Sequence, residues 1–251
     1  MRAILTYHSI DTSGSPISVS PDAFARQVAW LASGRVRVLP LLELLRTTER
    51  DAVALTFDDA FANFATEAWP LLRDHGLPAT VFVVTQRVGK TNAWRGQEVE
   101  GIPTLPLMDW PTLDRIRTEG VELGGHTRTH QSLMGLESAY LVDEIAGCAH
   151  DLNARYGAMP ATFAYPYGEA PPGARKVAQN LYTCACTTDY GPLGPKDVAE
   201  ALPRIDMFYF QSARGLAGWG SPLFRAGLVA RRSARAVRTA ARAAHEFTRR
   251  R

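Results

Sequence analysis

The chain has 251 residues, 46% of them apolar and 21% charged, which is the composition of a globular protein and excludes a mostly disordered one. Its three cysteines cannot build a disulfide framework, and no apolar run approaches the roughly 18 residues that a membrane-spanning helix needs. The net charge of +3 hides an asymmetry: residues 225–251 carry nine arginines against the single acid Glu246, so the rest of the chain is net acidic and is not the even basic field expected of a nucleic-acid-binding protein.

Read in chain order, Ala3–Tyr7 predicts a first strand. Ser20-Pro21 is an N-cap followed by proline at the first helical position, and Phe24, Val28 and Leu31 share one face of the helix after it. Asp51–Phe57 predicts a second strand that runs into Asp58-Asp59. A helix is expected from Phe61 to His75, stopped by Gly76. Ala79–Val84 is the next strand. The segment Gln86–Pro106 has no clean period and contains Trp94, which predicts a lid or binding loop.

Trp110–Glu119 reads as a helix, Val121–Leu123 as a strand and Ala139–Tyr156 as a long amphipathic helix. Strands are expected at Ala161–Tyr165 and Tyr182–Thr187, with a helix over Gly173–Asn180 between them, and a last strand at Leu202–Ile205. Cys184 and Cys186 alternate on one of these strands and so belong to one buried face. His75 and His150 lie in helical segments without partners at ligand spacing and read as surface residues. The alternation of strand and helix predicts βα units around a parallel, barrel-like sheet over residues 1–221, followed by a basic helix over 222–251. In such folds the chemistry collects at the carboxyl ends of the strands, where His8, Asp58-Asp59, His126 and Pro166-Tyr167 are expected.

Three segments carry the chemistry. Two adjacent carboxylates, Asp58-Asp59, repel unless something positive separates their roles. A metal on one leaves the other as a free base, whereas the plain alternative is a helix cap beside a solvated acid. In Gly124-Gly125-His126-Thr127-Arg128-Thr129-His130, the His-x3-His spacing brings both imidazoles to one side of a turn, and the glycines are expected to let the backbone bend after the strand. Two histidines and one carboxylate leave coordination positions open, as a catalytic metal site requires. In Tyr165-Pro166-Tyr167-Gly168, proline and glycine make a rigid bend. Its aromatic side chains can wall a sugar groove and the Tyr167 N–H can face an oxyanion, or the segment is an ordinary packed turn.

In this order, Thr56-Phe57-Asp58-Asp59, His126-Thr127-Arg128-Thr129-His130 and Tyr165-Pro166-Tyr167-Gly168 resemble the successive motifs of the polysaccharide deacetylases with NodB homology, over about residues 1–210. The resemblance implies a distorted (β/α)7 barrel and a metal-dependent deacylase. It assigns Asp58 as the general base, Asp59, His126 and His130 as ligands of one divalent ion, most simply zinc, and the Tyr167 N–H as the oxyanion donor. The chain departs from the pattern in three places. Ala60 stands where the family often has glycine. Ala164 stands where an arginine commonly steers the base. The late Leu-x-His that supplies the general acid is missing. His8, in Leu5-Thr6-Tyr7-His8, is the expected substitute acid. Members that deacetylate poly-β-1,6-N-acetylglucosamine resemble this arrangement, with a Tyr-His motif at the start. Arg204 is the expected replacement for the arginine, with a surface ion pair as the alternative.

The expected reaction removes an N-linked acyl group, acetyl in the first instance, from an amino sugar or saccharide: a sugar nucleotide, a lipid-linked saccharide or a glycoside. Tyr165, Pro166, Trp94 and Arg204 are expected to line its pocket. A deformylase or non-sugar amide deacylase shares this machinery, and a non-catalytic carbohydrate-binding or membrane-docking module would retain only the fold. The N-terminus turns polar too soon for a signal peptide, so a cytoplasmic protein is expected. From Pro222 to Thr248 the sequence predicts one helix, with Arg231, Arg235, Arg238, Arg242, His245 and Arg249 as a basic stripe and Val229, Ser233, Val237, Ala240, Ala244 and Phe247 opposite. Either the small face packs on the barrel with the arginines solvated, or the stripe of residues 225–251 meets anionic lipid at the inner membrane surface.

Overall fold

In a computed structural model of the chain, residues 1–94, 101–212 and 215–249 are described, with side chains up to Arg235. Seven parallel strands close into a barrel: β1 (Arg2–Tyr7), β5 (Ala52–Phe57), β6 (Thr80–Val83), β7 (Glu122–Gly125), β8 (Thr162–Ala164), β9 (Cys184–Tyr190) and β10 (Leu202–Asp206), with β1 pairing both β5 and β10. A short β4 (Arg37–Val38) adds to the start of β5, and β2 (Ser9–Ile10) pairs with β3 (Ser18–Val19) outside the barrel. The helices are α1 (Pro21–Ala32), α2 (Leu41–Arg46), α3 (Trp69–Asp74), α4 (Trp110–Thr118), α5 (Ser138–Tyr156), α6 (Pro172–Gln179) and α7 (Pro222–Arg249). None of the described helices is long and apolar enough to cross a membrane.

The strand alternation sorts side chains into two layers. Ile4, Ala54, Phe82, Ala164, Cys184, Cys186 and Leu202 form one cluster inside the barrel, closed below by Leu41 and Leu44 of α2. Leu5, Val53, Leu55, Val81 and Val83 face the other way and pack against the helices. Most interior residues are small, which leaves room for the Phe82 ring and, above it, for one arginine. The glycines before His126 belong to this packing. Neither Gly124 nor Gly125 has a positive φ, so they do not bend the backbone as expected. Instead a Cβ on Gly124 would stand 2.6 Å from the Phe82 ring, and one on Gly125 would stand 2.7 Å from the Tyr182 hydroxyl.

Most expected elements are present, with shifted ends. The strand expected at Val121–Leu123 lies at Glu122–Gly125. The helix expected over Phe61–His75 is interrupted by a π-turn at Phe64–Ala68, where the Trp69 N–H reaches back to the Phe64 carbonyl just before Pro70, which has no N–H to continue the regular ladder. Ser20 caps α1 by accepting from the Ala23 N–H at 3.3 Å. α7 spans the expected helix, but over its first half its small face does not pack on the barrel. Arg231 lies over the Tyr209 ring at 4.7 Å and Arg235 over Tyr190 at 5.4 Å, while Val229 is 64% exposed. Planar guanidinium groups stack on aromatic rings, so the arginine side of the helix faces the barrel.

Candidate active site

The strand ends bring Asp58, Asp59, His126 and His130 together, all four buried. Asp59 Oδ1 lies 3.3 Å from His126 Nε2 and 3.2 Å from His130 Nε2. The ligand atoms of the three residues fall within 4.8 Å of one another. His126 donates its Nδ1–H to the Ala164 carbonyl at 2.7 Å, which turns the Nε2 lone pair toward Asp59. Asp59 Oδ1 is buried and receives no hydrogen bond. A carboxylate oxygen left bare between two imidazole nitrogens fits a divalent cation, and the two-nitrogen, one-oxygen donor set suits zinc. Burial alone would raise the Asp59 carboxyl; His130 and His126 override it and hold it far below the carboxylate range. For His126, burial works downward, but Asp59 and Asp58 raise its pKa; for His130, burial prevails and lowers it.

Asp58 is held separately. Arg204 forks onto it, Nη1 to Oδ1 at 2.6 Å and Nη2 to Oδ2 at 2.7 Å, while the Arg204 Nε–H donates to the Thr187 carbonyl at 2.8 Å. Arg204 is 1% exposed, so it neither forms a surface ion pair nor lines a pocket. It enters from β10 across the space above Ala164 and Cys186. Burial would raise the Asp58 carboxyl, and Arg204, with His8, lowers it instead. His8 Nε2 lies 3.7 Å from Asp58 Oδ2 at the partly open rim.

Backbone strain concentrates here. Asp59, Ala60, Thr127, His130 and Tyr167 have φ between 57° and 71°, and among the described residues no other non-glycine residue has a positive φ. At Ala60 the backbone takes the left-handed region that favours glycine. Such strain persists only where neighbours overdetermine it, and α5 supplies them for the histidine loop. The buried Glu144 carboxylate accepts the N–H groups of Arg128 and Thr129, both at 3.0 Å, the Thr129 hydroxyl at 2.6 Å and the Gln131 amide at 2.9 Å. Asp151 takes the Arg128 guanidinium at 3.0 Å, and Gly147 leaves the space in which it lies: a Cβ there would stand 2.6 Å from Arg128 Cδ. Sequence reading missed Glu144 and Asp151. Their signal is two acids seven residues apart on a helix whose stripe is otherwise apolar. Glu144→Gln should weaken metal binding about tenfold and lower stability by about 1–3 kcal/mol. Chelator competition and denaturant unfolding of metal-free protein measure the two separately; unchanged metal affinity would reduce Glu144 to a packing role.

The residues expected to line a substrate pocket separate. Tyr167 is 41% exposed, and its ring edges His130 at 4.8 Å. Tyr165 instead points outward into the core, fully buried, with its hydroxyl donating to the Glu200 carbonyl; it occupies the opposite side of its strand from the barrel interior. Pro166 is buried and only starts the turn. Trp94 is buried, stacks on His130 with centroids 4.0 Å apart and packs with Phe61, Val84 and Leu107. Within the described part of the expected lid, Asn92 accepts the Leu105 N–H at 2.7 Å and donates to the Pro103 carbonyl at 3.0 Å; residues 95–100, with Arg95 and Gly96, lie outside the described residues.

A family profile described as polysaccharide deacetylase matches residues 45–184, more than half of the chain. The chain belongs to the polysaccharide deacetylase family. YxkH of Bacillus subtilis is 24% identical over 209 residues, covering 80% of this chain and 70% of that protein. The poly-β-1,6-N-acetyl-D-glucosamine N-deacetylase of Staphylococcus epidermidis is 28% identical over 165 residues, covering 60% of this chain and 54% of the relative, so the match spans about half of that protein. Among solved structures, the deacetylase PplD of Streptococcus pyogenes superposes with a TM-score of 0.75 at 22% identity, covering 88% of this chain and 98% of that one. IcaB of Ammonifex degensii gives 0.73 at 22% identity, covering 87% and 96%. The fold is that of these deacetylases, the (β/α)7 barrel.

Proposed function

We propose that this polysaccharide deacetylase removes an N-linked acyl group, acetyl in the first instance, from an amino sugar or saccharide. The observation that carries the reading is the donor-free oxygen of Asp59 between two imidazole Nε2 atoms, with a second carboxylate, Asp58, clamped beside it by Arg204. A divalent ion held by Asp59, His126 and His130, zinc in the simplest case, would supply Lewis acidity to the acyl carbonyl and acidify a water. Asp58 accepts the proton of the attacking water, and Arg204 keeps the accepting carboxylate aimed while holding its pKa down. The backbone N–H of Tyr167, in its left-handed turn, faces the developing oxyanion. His8, across Asp58 from the ligand set, gives the proton to the leaving nitrogen and takes the place of the missing Leu-x-His.

Acetate release from N-acetylated hexosamines and chito-oligosaccharides by the zinc-loaded chain tests the reaction; no release from any of them would set the reading aside. His8→Ala and Asp58→Asn should each lower kcat by about 10²–10⁴ with the metal still bound. Near-normal kcat for His8→Ala would show that another group protonates the amine.

A further inference from the structure

β9 does not pair evenly with β10. Leu202 is in register with Cys186 and Arg204 with Tyr190, so two steps along β10 face four along β9, and Thr187, Thr188 and Asp189 bulge out of the ladder. A bulge leaves peptide groups without a strand partner and re-aims what it carries. Here its groups serve the active site. The Thr187 carbonyl accepts the Nε–H of the buried Arg204 at 2.8 Å, which fixes the guanidinium that forks onto Asp58. The Thr188 hydroxyl donates to the Tyr167 carbonyl at 3.1 Å, and a Cβ on Gly168 would overlap that same hydroxyl. The first half of α7 lays Arg235 against the bulge. Its guanidinium is 3.4 Å from the Thr188 carbonyl, the Asp206 carboxylate and the Tyr209 hydroxyl, and its Cζ lies 5.4 and 5.8 Å from the centres of the Tyr190 and Tyr209 rings.

From this we infer that Arg235 is a positioning residue of the active site: it braces the β9 bulge, and through it both the guanidinium that aims Asp58 and the turn that carries the Tyr167 N–H. The inference rests on the deacylase reading for the reaction, not for the brace. Loss of Arg235 acts in two ways. The Thr188 carbonyl loses its cationic partner, and the bulge, with no complete ladder to restore it, shifts together with both groups it holds. The Asp206 carboxylate, two residues beyond Arg204 and so on the same side of β10, loses its partner too and competes with Asp58 for the Arg204 guanidinium. A base and an oxyanion donor displaced by a fraction of an ångström leave substrate binding intact and slow the reaction. Arg231, one turn earlier, supplies the comparison. It stacks on Tyr209 and Phe210 at 4.7 and 5.6 Å and docks the same side of the helix, but among the described residues it pairs with neither Thr188 nor Asp206.

Acetate release and amide hydrogen exchange, both on the zinc-loaded full chain, test this together. Arg235→Leu should lower kcat about three- to tenfold with KM and metal content unchanged, and should speed exchange in residues 165–168 and 187–191. Arg231→Leu, which loses the same kind of stacking, should do neither. Equal losses of kcat in the two variants reduce Arg235 to a docking contact of α7 and overturn the inference. Wild-type kcat in Arg235→Leu overturns it as well, as does exchange that stays at the wild-type rate in both segments. If the wild-type chain releases no acetate, the deacylase reading falls and exchange alone decides: faster exchange at 187–191 confined to Arg235→Leu keeps the brace, and unchanged exchange removes it.

Discussion

Arg204→Met is expected to lower kcat by about 10²-fold or more and to destabilise the fold by about 3–5 kcal/mol. The variant leaves the Asp58 carboxylate buried without its two N–H donors, and the carboxylate either swings or takes up a proton; both end its service as a base. Arg204→Lys should recover part of the stability but little of the rate, because an ammonium cannot fork onto both oxygens and reach the Thr187 carbonyl as well. The informative variant is Ala164→Arg in the Arg204→Met background. Ala164 faces the same interior space, and other family members commonly place their arginine there. Partial recovery of kcat would show that the barrel needs a guanidinium under Asp58 and is indifferent to the strand that provides it. Wild-type kcat in Arg204→Met would remove the arginine from the mechanism.

Removal of the metal should have the largest effect. Chelator treatment is expected to bring acetate release to background and zinc to restore it, with about one ion per chain found by elemental analysis. His126→Ala/His130→Ala should neither bind the ion nor respond to zinc. Asp58→Asn should retain the ion without turnover, since Asp58 lies outside the triad of ligand atoms. Full occupancy in the double-histidine variant would relocate the site. Metal-free protein should stay folded, because the inner and outer layers of the barrel are closed by apolar contacts that do not involve the triad.

The residues of the candidate site were largely legible in the sequence, because each sits at a strand end and reaches its partners over a short distance. Asp58, Asp59, His126 and His130 needed only the strand–helix alternation to be brought together. Arg204 was legible as a replacement but not as a buried one, since its environment depends on three strands distant in the chain and on the small residues at 164 and 186. Tyr165 misled because one position along a strand exchanges the barrel interior for the outer core. Trp94 was legible as an aromatic in an aperiodic loop, but its stacking on His130 was not, because the two are 36 residues apart in the chain. Glu144 was hidden by its helix: a buried acid on an amphipathic stripe has a meaning only when the loop it holds is known. The arginines of α7 were expected to face either solvent or anionic lipid, and the rings of Tyr190 and Tyr209, distant in sequence, instead take up Arg231 and Arg235.

Closure of the barrel between β1 and β10 has a consequence for folding order. The proposed metal ligands lie between positions 59 and 130, whereas the clamp on the proposed base joins residues 58 and 204, 146 positions apart. Contacts that span so much chain form at greater loop-closure cost than the local ones. Capacity to hold an ion and capacity to turn over thus have different contact orders. A chain in which β10 has not docked is expected to keep the first and lack the second, so that metal content alone would not measure the active fraction of a preparation.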